Sequence, residues 1–197
     1  MRPGGGQSPN HDEALALVTA ATPWGPAPLV VGSDGVHALW LRADPDDVAR
    51  STERRTRRHV VALRDATAPV RAAAAIALAD LEAFGSRRLD RWRLEVRLAG
   101  LGDWDRRVLV AVRRVPWGAT TSYGQIARAA GSPGAARAAG GAVGRNPVGL
   151  MVPCHRVIAA DGSIGGYGGR WPADRDELIA LKRSLLAHEG SATSQRS

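Results

Sequence analysis

The sequence predicts an α+β fold, in which a small N-terminal α/β domain with a short antiparallel sheet and helices precedes a mainly helical C-terminal domain with a helix-turn-helix. Short apolar runs separated by turn residues indicate strands in the first half. From Asp103 onward, helical patterns interrupted by glycine and proline indicate several short helices. We expect a disordered N-terminus (1–10), a supporting domain (11–99), a second domain (100–190) and a flexible tail (191–197).

Strands are expected at residues 14–19, 29–32 and 36–41, where the short apolar runs lie. Ser33-Asp34-Gly35 joins the last two runs as a hairpin turn, because glycine accepts a positive φ. Residues 92–98 alternate apolar and charged side chains, which predicts another half-buried strand.

Helices are expected where apolar residues recur at helical spacing. Gly85 is expected at the C-cap of the first of them. Ser122 and Gln125 have the spacing of a capping box, so a helix should begin there. Two short helices around the Gly131-Ser132-Pro133 turn match the layout of a helix-turn-helix. The expected helices span residues 68–84, 104–115, 123–130 and 134–144, with a last one from about 174 to before 190.

The composition indicates a basic protein without disulfides. Its net charge is +8, which suits a polyanionic partner, although the arginine bias of a GC-rich genome would produce the same charge. The chain has one cysteine, Cys154, which excludes an internal disulfide and fits the cytoplasm. We recognise neither a signal peptide nor an apolar run long enough for a membrane span, so no membrane partner is expected.

The second helix of the helix-turn-helix is unusual because it contains adjacent glycines. Gly140 and Gly141 each cost about 1 kcal/mol relative to alanine inside a helix. Two explanations remain open, close packing against another helix or close approach to a nucleic-acid groove. Such a helix lacks the long polar side chains that read base edges, so it would bind DNA shape and phosphates, with Arg137 as a phosphate contact or a wedge.

Cys154 is followed directly by His155 and Arg156, and an imidazole or a cation near a thiol lowers its pKa. Adjacency in sequence does not establish contact, so a structural cysteine remains an alternative. A cysteine, a histidine and a later carboxylate would also suit a thiol hydrolase of peptides or esters. Glu189 is expected at the C-terminal end of the last helix, where a carboxylate is unfavourable, which indicates a role other than helix stability.

Pro153-Cys154-His155-Arg156-Val157 resembles the active-site motif of the O6-alkylguanine-DNA alkyltransferases, also called methylated-DNA–protein-cysteine methyltransferases. The resemblance extends in order from Asp103 to Gly190. It comprises the helix-turn-helix entry at 115–127, the recognition helix at 135–142, the hinge Asn146-Pro147, the glycine-rich loop at 165–169 and the terminal helix at 185–190.

The resemblance implies DNA repair by direct reversal. After nucleotide flipping, an alkyl group would move from O6-alkylguanine in duplex DNA to Cys154 in a single-turnover reaction. O4-alkylthymine as a second substrate is left open. Residues 100–190 would then form the DNA-binding and alkyl-transfer domain. His155 would take the thiol proton through a water, Glu189 would hold His155, and Tyr123 would donate a hydrogen bond to the leaving guanine.

The resemblance also implies a set of contact residues around Cys154, with Asn146 as a structural hinge. Lys182 matches a lysine near the family's active site, and its role is left open. The expected DNA contacts are Thr121, Ser122, Arg137, Ala138, Gly140, Gly141 and Arg156. The expected pocket residues are Tyr123, Val143, Val157, Ile158, Tyr167 and Gly168.

The expected partner is double-stranded DNA containing alkylated guanine, bound by a monomer, with cooperative binding left open. No cofactor is expected, and the scattered histidines with one cysteine predict no metal site. The segment 170–181 is longer than the corresponding segment of the family. It would lengthen the loop beside the pocket, where Arg170 or Trp171 could contact DNA. The alternatives are a non-catalytic alkylguanine-binding protein, the thiol hydrolase and a transcriptional regulator.

Overall fold

The computed structural model describes residues 13–89, 91–168 and 174–190. It divides into two compact units. The first comprises the chain up to Gly85 together with Leu89–Ala99, and the second comprises Ser86–Arg88 together with the chain from Gly100 onward. The predicted α+β class is confirmed. The domain boundaries remain a prediction, and the expected disordered N-terminus, the tail, Arg170 and Trp171 lie outside the described residues.

The first unit is built on a four-stranded sheet with the order β3-β2-β1-β4. Strands β1 (Leu15–Thr22), β2 (Gly25–Gly32) and β3 (Gly35–Leu39) pair antiparallel, whereas β4 (Val60–Ala62) pairs parallel to β1. The predicted hairpin is present, because Gly32 pairs with Gly35 across Ser33 and Asp34. Gly35 has φ +137° and approaches the Glu95 carbonyl so closely that a Cβ would lie 2.3 Å from it. The turn therefore requires glycine.

Two helices accompany the sheet. Helix α1 (Pro45–Thr56) was not expected, although its start is well specified, because Asp44 caps the Asp47 amide and Pro45 occupies the first turn. Helix α2 (Ala68–Gly85) was expected. The apolar face of the sheet is buried, with Leu15, Val30, Ala38 and Val48 in one cluster.

Two details of the predicted first unit are wrong. Gly85 is the last residue of α2 rather than its cap, and the left-handed conformation lies two residues later, at Arg87. Residues 92–98 form no strand apart from a single bridge between Val96 and Val36. Their alternation instead reflects local anchors, since Arg93 bonds Asp80 and Trp92 stacks on Phe84.

The second unit is mainly helical, as predicted. Helix α3 (Asp103–Arg113) packs on α4 (Tyr123–Ala129) and α5 (Ala136–Gly144), the two helices of the helix-turn-helix. The capping box at Ser122 and Gln125 is present with both of its hydrogen bonds. Helix α6 (Arg175–His188) begins at the capping residue Asp174.

A short parallel pair ties the helix-turn-helix to the cysteine segment. Strand β5 (Thr121–Ser122) pairs with β6 (Val157–Ile158), and a 3-10 helix at Cys154–Arg156 leads directly into β6. The first residue of α4 and the cysteine are therefore held in a fixed relation. No helix among the described residues is long and apolar enough to cross a membrane.

The sheet unit also contains a buried histidine, His37, in a cluster of charged side chains. His37 is 2% exposed and its Nε2 lies 2.9 Å from Asp34 Oδ1. Arg58 and Arg97 also pair with Asp34, at 3.4 and 3.1 Å. Burial lowers the pKa of His37, and the Asp34 hydrogen bond opposes that shift without overcoming it. The folded unit therefore favours the neutral imidazole.

We predict that His37 makes the first unit sensitive to acid. Because its pKa is lower folded than unfolded, the folded state loses stability as the pH falls below the unfolded value of 6.5. Urea unfolding at about pH 7.5 and about pH 5.5 should show a smaller loss for His37→Gln than for the wild type. His59→Gln is the matched control, because the His59 side chain is 96% exposed. Equal losses in wild type and His37→Gln would contradict the prediction.

Candidate active site

Cys154 lies at the start of the 3-10 helix, beneath a loop that Asn146 shapes. The Asn146 Nδ2 donates to the Val152 carbonyl at 2.8 Å, and its Oδ1 accepts from the Val148 amide at 3.0 Å. The same side chain also hydrogen-bonds Cys154. Asn146 thus holds both the loop that precedes the cysteine and the thiol itself.

The ionisation of Cys154 is governed by opposing effects. Burial raises the pKa of the thiol, whereas the Asn146 hydrogen bond, the charge of Lys182 and the Tyr167 hydrogen bond lower it. Burial dominates, so the resting group is the thiol. A nucleophilic role for Cys154 therefore needs a base to remove the proton when the reaction occurs.

The histidine beside Cys154 is suited to that role. His155 is fully buried, and its Nε2 lies 2.9 Å from Glu189 Oε1. Burial lowers the pKa of His155 despite the adjacent carboxylate, so the ring is neutral near pH 7. With the Nε2 proton donated to Glu189, Nδ1 carries the lone pair. Nδ1 is buried and has no hydrogen-bond partner within the described part of the chain.

Glu189 is the point at which the site is assembled. It is the C-cap of α6, and its carboxylate is buried. Besides His155, it accepts 2.8 Å hydrogen bonds from Nε and Nη2 of Arg156 and a 3.4 Å bond from the Gly118 amide. Burial would raise the pKa of Glu189, but the bonds from His155 and Arg156 hold it at about 2. The carboxylate is therefore ionised throughout the physiological range.

A cavity of about 230 Å³ opens beside the cysteine. It is smaller than the 300 Å³ or so at the lower end of pockets for drug-sized ligands, which suits a group the size of one base. Helix α4 contributes Tyr123 to its wall, and α5 contributes glycine and valine. The lining residues are Tyr123, Gly140, Val143, Gly144, Asn146, Gly149, Cys154, Gly166, Tyr167 and Gly168.

Two tyrosines and the glycine-rich loop line the cavity around the thiol. Tyr167 hydrogen-bonds Cys154, and the Tyr123 hydroxyl donates to the Gly166 carbonyl at 3.5 Å. Gly168 has φ +78°, and a Cβ there would lie 2.9 Å from the Leu178 side chain. Glycine at this position therefore lets the loop lie close to α6.

The expected nucleic-acid contacts separate into exposed and engaged residues. Arg137, Ala138 and Gly141 on α5 are exposed, and Gly140 faces the cavity. A Cβ on Gly140 would meet Tyr123 only at an ordinary 3.7 Å, so packing does not require this glycine. Thr121 and Ser122 are partly buried and belong to β5, with the Ser122 hydroxyl committed to the capping box.

The position of Arg156 differs from the one predicted from the sequence. It was expected to contact DNA, yet it is 8% exposed and its guanidinium is committed to Glu189 and, at 2.6 Å, to the Val115 carbonyl. Its neighbour Trp117 lies over the guanidinium, 5.8 Å from ring centroid to Cζ. Arg156 therefore acts inside the fold, where it neutralises Glu189. Val157 and Ile158, expected in the pocket, belong to β6 and are not among the cavity residues.

Two features of the site were missed or left open in the sequence. Gly118 was not singled out, although its amide reaches Glu189 across 71 positions of the chain. Lys182 was left without a role, and the structure places its ammonium in the interior, bonded to three carbonyls. The apolar neighbours of Lys182 in α6, Leu181 and Leu185, were the available indication of its burial. Among the described residues, no cluster of ligands could hold a metal ion.

The site lies in a segment that matches a known protein family. Residues 103–191 match the family described as 6-O-methylguanine DNA methyltransferase, DNA binding domain. A protein from Mycolicibacterium paratuberculosis named methylated-DNA–protein-cysteine methyltransferase is 46% identical over 108 residues, which cover 54% of this chain and 64% of that protein. The mouse protein of that name is 51% identical over 81 residues, 41% of this chain and 35% of its own length. The sequence matches thus span less than two thirds of these curated relatives.

Solved structures extend the similarity over both units. The crystal structure of Mycobacterium tuberculosis OGT in complex with DNA matches with a TM-score of 0.68 and 34% identity, over 88% of this chain and 92% of that one. An O6-methylguanine-DNA methyltransferase from Pyrococcus kodakaraensis matches with a TM-score of 0.57 and 25% identity, over 89% and 99% of the two chains.

We predict that Glu189 stabilises the second unit as well as its site. Glu189→Gln leaves the buried Arg156 without its counter-charge, which should lower the free energy of unfolding by about 3 kcal/mol or more. Glu177→Gln is the control, because Glu177 is exposed in the first turn of the same helix and its loss should cost less than about 1 kcal/mol. Urea denaturation of both variants measures the difference, and similar costs would refute the central role of Glu189.

Proposed function

The chain belongs to the 6-O-methylguanine DNA methyltransferase family, and on that premise we propose that it repairs DNA by transferring an alkyl group from O6-alkylguanine to Cys154. The observation that supports this most directly is the position of the chain's single cysteine on the wall of a base-sized cavity. Beside it stands a neutral histidine held by a buried carboxylate. The names of the relatives support the same reaction.

In the proposed reaction, the thiol proton passes to His155 Nδ1, directly or through one water. The thiolate sulfur then attacks the alkyl carbon, a carbon–sulfur bond forms, and the bond from that carbon to guanine O6 breaks with its electron pair remaining on the guanine. Tyr123, on the cavity wall, donates a hydrogen bond to the leaving base, which then takes up a proton. Glu189 keeps His155 in the tautomer whose Nδ1 can accept the proton.

The product is a thioether, which has no proton to lose and no group that water displaces readily. We therefore infer that each molecule acts once. Because a thiol hydrolase would release its acyl group and turn over repeatedly, the number of turnovers distinguishes the two functions. The presence of Cys154 likewise distinguishes the proposal from a protein that only binds alkylguanine.

Helix α5 is the proposed DNA contact. Its exposed Ala138 and Gly141 permit close approach of a groove, and Arg137 would occupy the space left by a flipped nucleotide. The expected affinity comes mainly from phosphate contacts and is not sequence-specific. O4-alkylthymine as a second substrate, a monomeric state and a cytoplasmic location, which the free thiol favours, belong to the same proposal.

We predict stoichiometric modification of Cys154. Incubation with duplex DNA containing one O6-methylguanine should add one methyl group per protein molecule, found by mass spectrometry on the Cys154 peptide. Cys154→Ser should gain none, and adding more DNA should not raise the yield above one. Methylation elsewhere in the chain, or release of more product than protein, would refute the proposal.

We predict that Arg137 matters only when a base must leave a duplex. Arg137→Ala should slow transfer from duplex DNA by about tenfold or more, because unstacking a base costs a few kcal/mol. Transfer from the free nucleoside should be unchanged. Arg183→Ala, which removes an exposed arginine from α6, is the control for net charge. An equal effect of Arg137→Ala on both substrates, or of both variants on duplex, would exclude a role in flipping.

A further inference from the structure

Lys182, the chain's only lysine, is fully buried in α6. Its Nζ donates to the carbonyl of Val157 at 2.6 Å, of Ile164 at 2.7 Å and of Gly166 at 3.2 Å. These acceptors come from two segments, β6 and residues 164–166 at the start of the glycine-rich loop. Lys182 forms no ion pair with a carboxylate among the described residues, so the three carbonyl dipoles are the groups that hold its charge.

The loop that Lys182 holds is one wall of the cavity. Gly166, Tyr167 and Gly168 all line the cavity, and Tyr167 hydrogen-bonds the thiol. The same face of α6 holds the loop a second time, since Leu178 lies one turn before Lys182 and packs on Gly168. Leu178 supports the loop only by apolar contact, which is not directional. The hydrogen bonds of Lys182 therefore fix the distance between the loop and β6.

We propose that Lys182 is a positioning residue that clamps the glycine-rich wall of the cavity onto β6 and thereby limits the size of the group that reaches Cys154. This inference deepens the proposed function, because the space in question is the space for the alkyl group. Lys182 does not need to touch that group. Its effect passes through the backbone at Ile164 and Gly166.

The clamp also depends on protonation. A protonated lysine has three N–H donors for the three carbonyls, whereas the neutral amine has two. Burial lowers the pKa of Lys182 to about 8, while its interaction with Cys154 acts in the opposite direction. His155 is the other titratable group whose charge interacts with Lys182, and it is neutral in this range. The wall should therefore loosen as the pH rises through about 8.

The test compares two reagents of one chemistry and different bulk, N-methylmaleimide and N-benzylmaleimide, on the full chain. Cys154 is the only cysteine, so each reagent reports on the cavity alone. Both react with the thiolate, so the ratio of their rates, normalised to the ratio for free cysteine, cancels any change in thiol ionisation. No DNA is used, so a failure of alkyl transfer from DNA leaves this test unaffected.

In Lys182→Met the normalised ratio of benzyl to methyl reagent should rise about fivefold or more, because all three hydrogen bonds are lost and one net hydrogen bond already supports a change in population of that size. In the wild type it should rise between about pH 6.5 and about pH 9.5, whereas in Lys182→Met it should stay constant. Hydrogen exchange of residues 164–168 should be faster in the variant, with α2 unchanged as the internal control.

The wild-type pH series needs no variant, so the proposal can be judged even if Lys182→Met does not fold. A wild-type ratio that is constant across this range would overturn the clamp. So would a folded Lys182→Met protein whose ratio and loop exchange equal those of the wild type, since Lys182 would then only fill space.

Discussion

The buried carboxylate of Glu189 is the interaction on which the second unit depends. It terminates α6, receives Arg156 and His155 from the cysteine segment, and accepts the Gly118 amide from the chain that leads into the helix-turn-helix. A carboxylate at the C-terminus of a helix interacts unfavourably with the helix dipole. That local cost is offset because two distant segments of the chain bind this one charge. Arg156 supplies the neutralising charge that makes burial of Glu189 possible.

The proposed function imposes a second constraint, a conflict between enclosing a base and ionising a thiol. The cavity must exclude water to hold a base between its walls, and the same exclusion of water raises the pKa of Cys154. The structure does not overcome this with one strong charge. Weak partners act on the sulfur, namely the amide of Asn146, the hydroxyl of Tyr167 and the ammonium of Lys182, and the next residue in the chain is the neutral His155. Proton removal is thereby assigned to the reaction itself.

The sequence predicted what is local and missed what depends on distant partners. The hairpin at Gly35 and the capping box at Ser122 were predictable because a few consecutive residues determine each. The alternation over 92–98 failed as a strand, because Arg93 and Trp92 are held by α2 side chains rather than by a neighbouring strand. The resemblance placed Arg156 among the DNA contacts, and the residues around it give no sign that its partner, Glu189, lies 33 positions away. The family resemblance supplied the candidate site, whereas the hydrogen bonds of Lys182 were visible only in three dimensions.

The protonated resting state of Cys154 has a consequence for the lifetime of the protein in the cell. Peroxides and disulfides react with thiolates, and a cysteine oxidised to a sulfenic or sulfinic acid can no longer accept an alkyl group. In the proposed single-turnover reaction, a molecule that an oxidant reaches first is lost. Keeping the sulfur protonated, with the base at His155, would preserve the unused protein until its proposed substrate arrives.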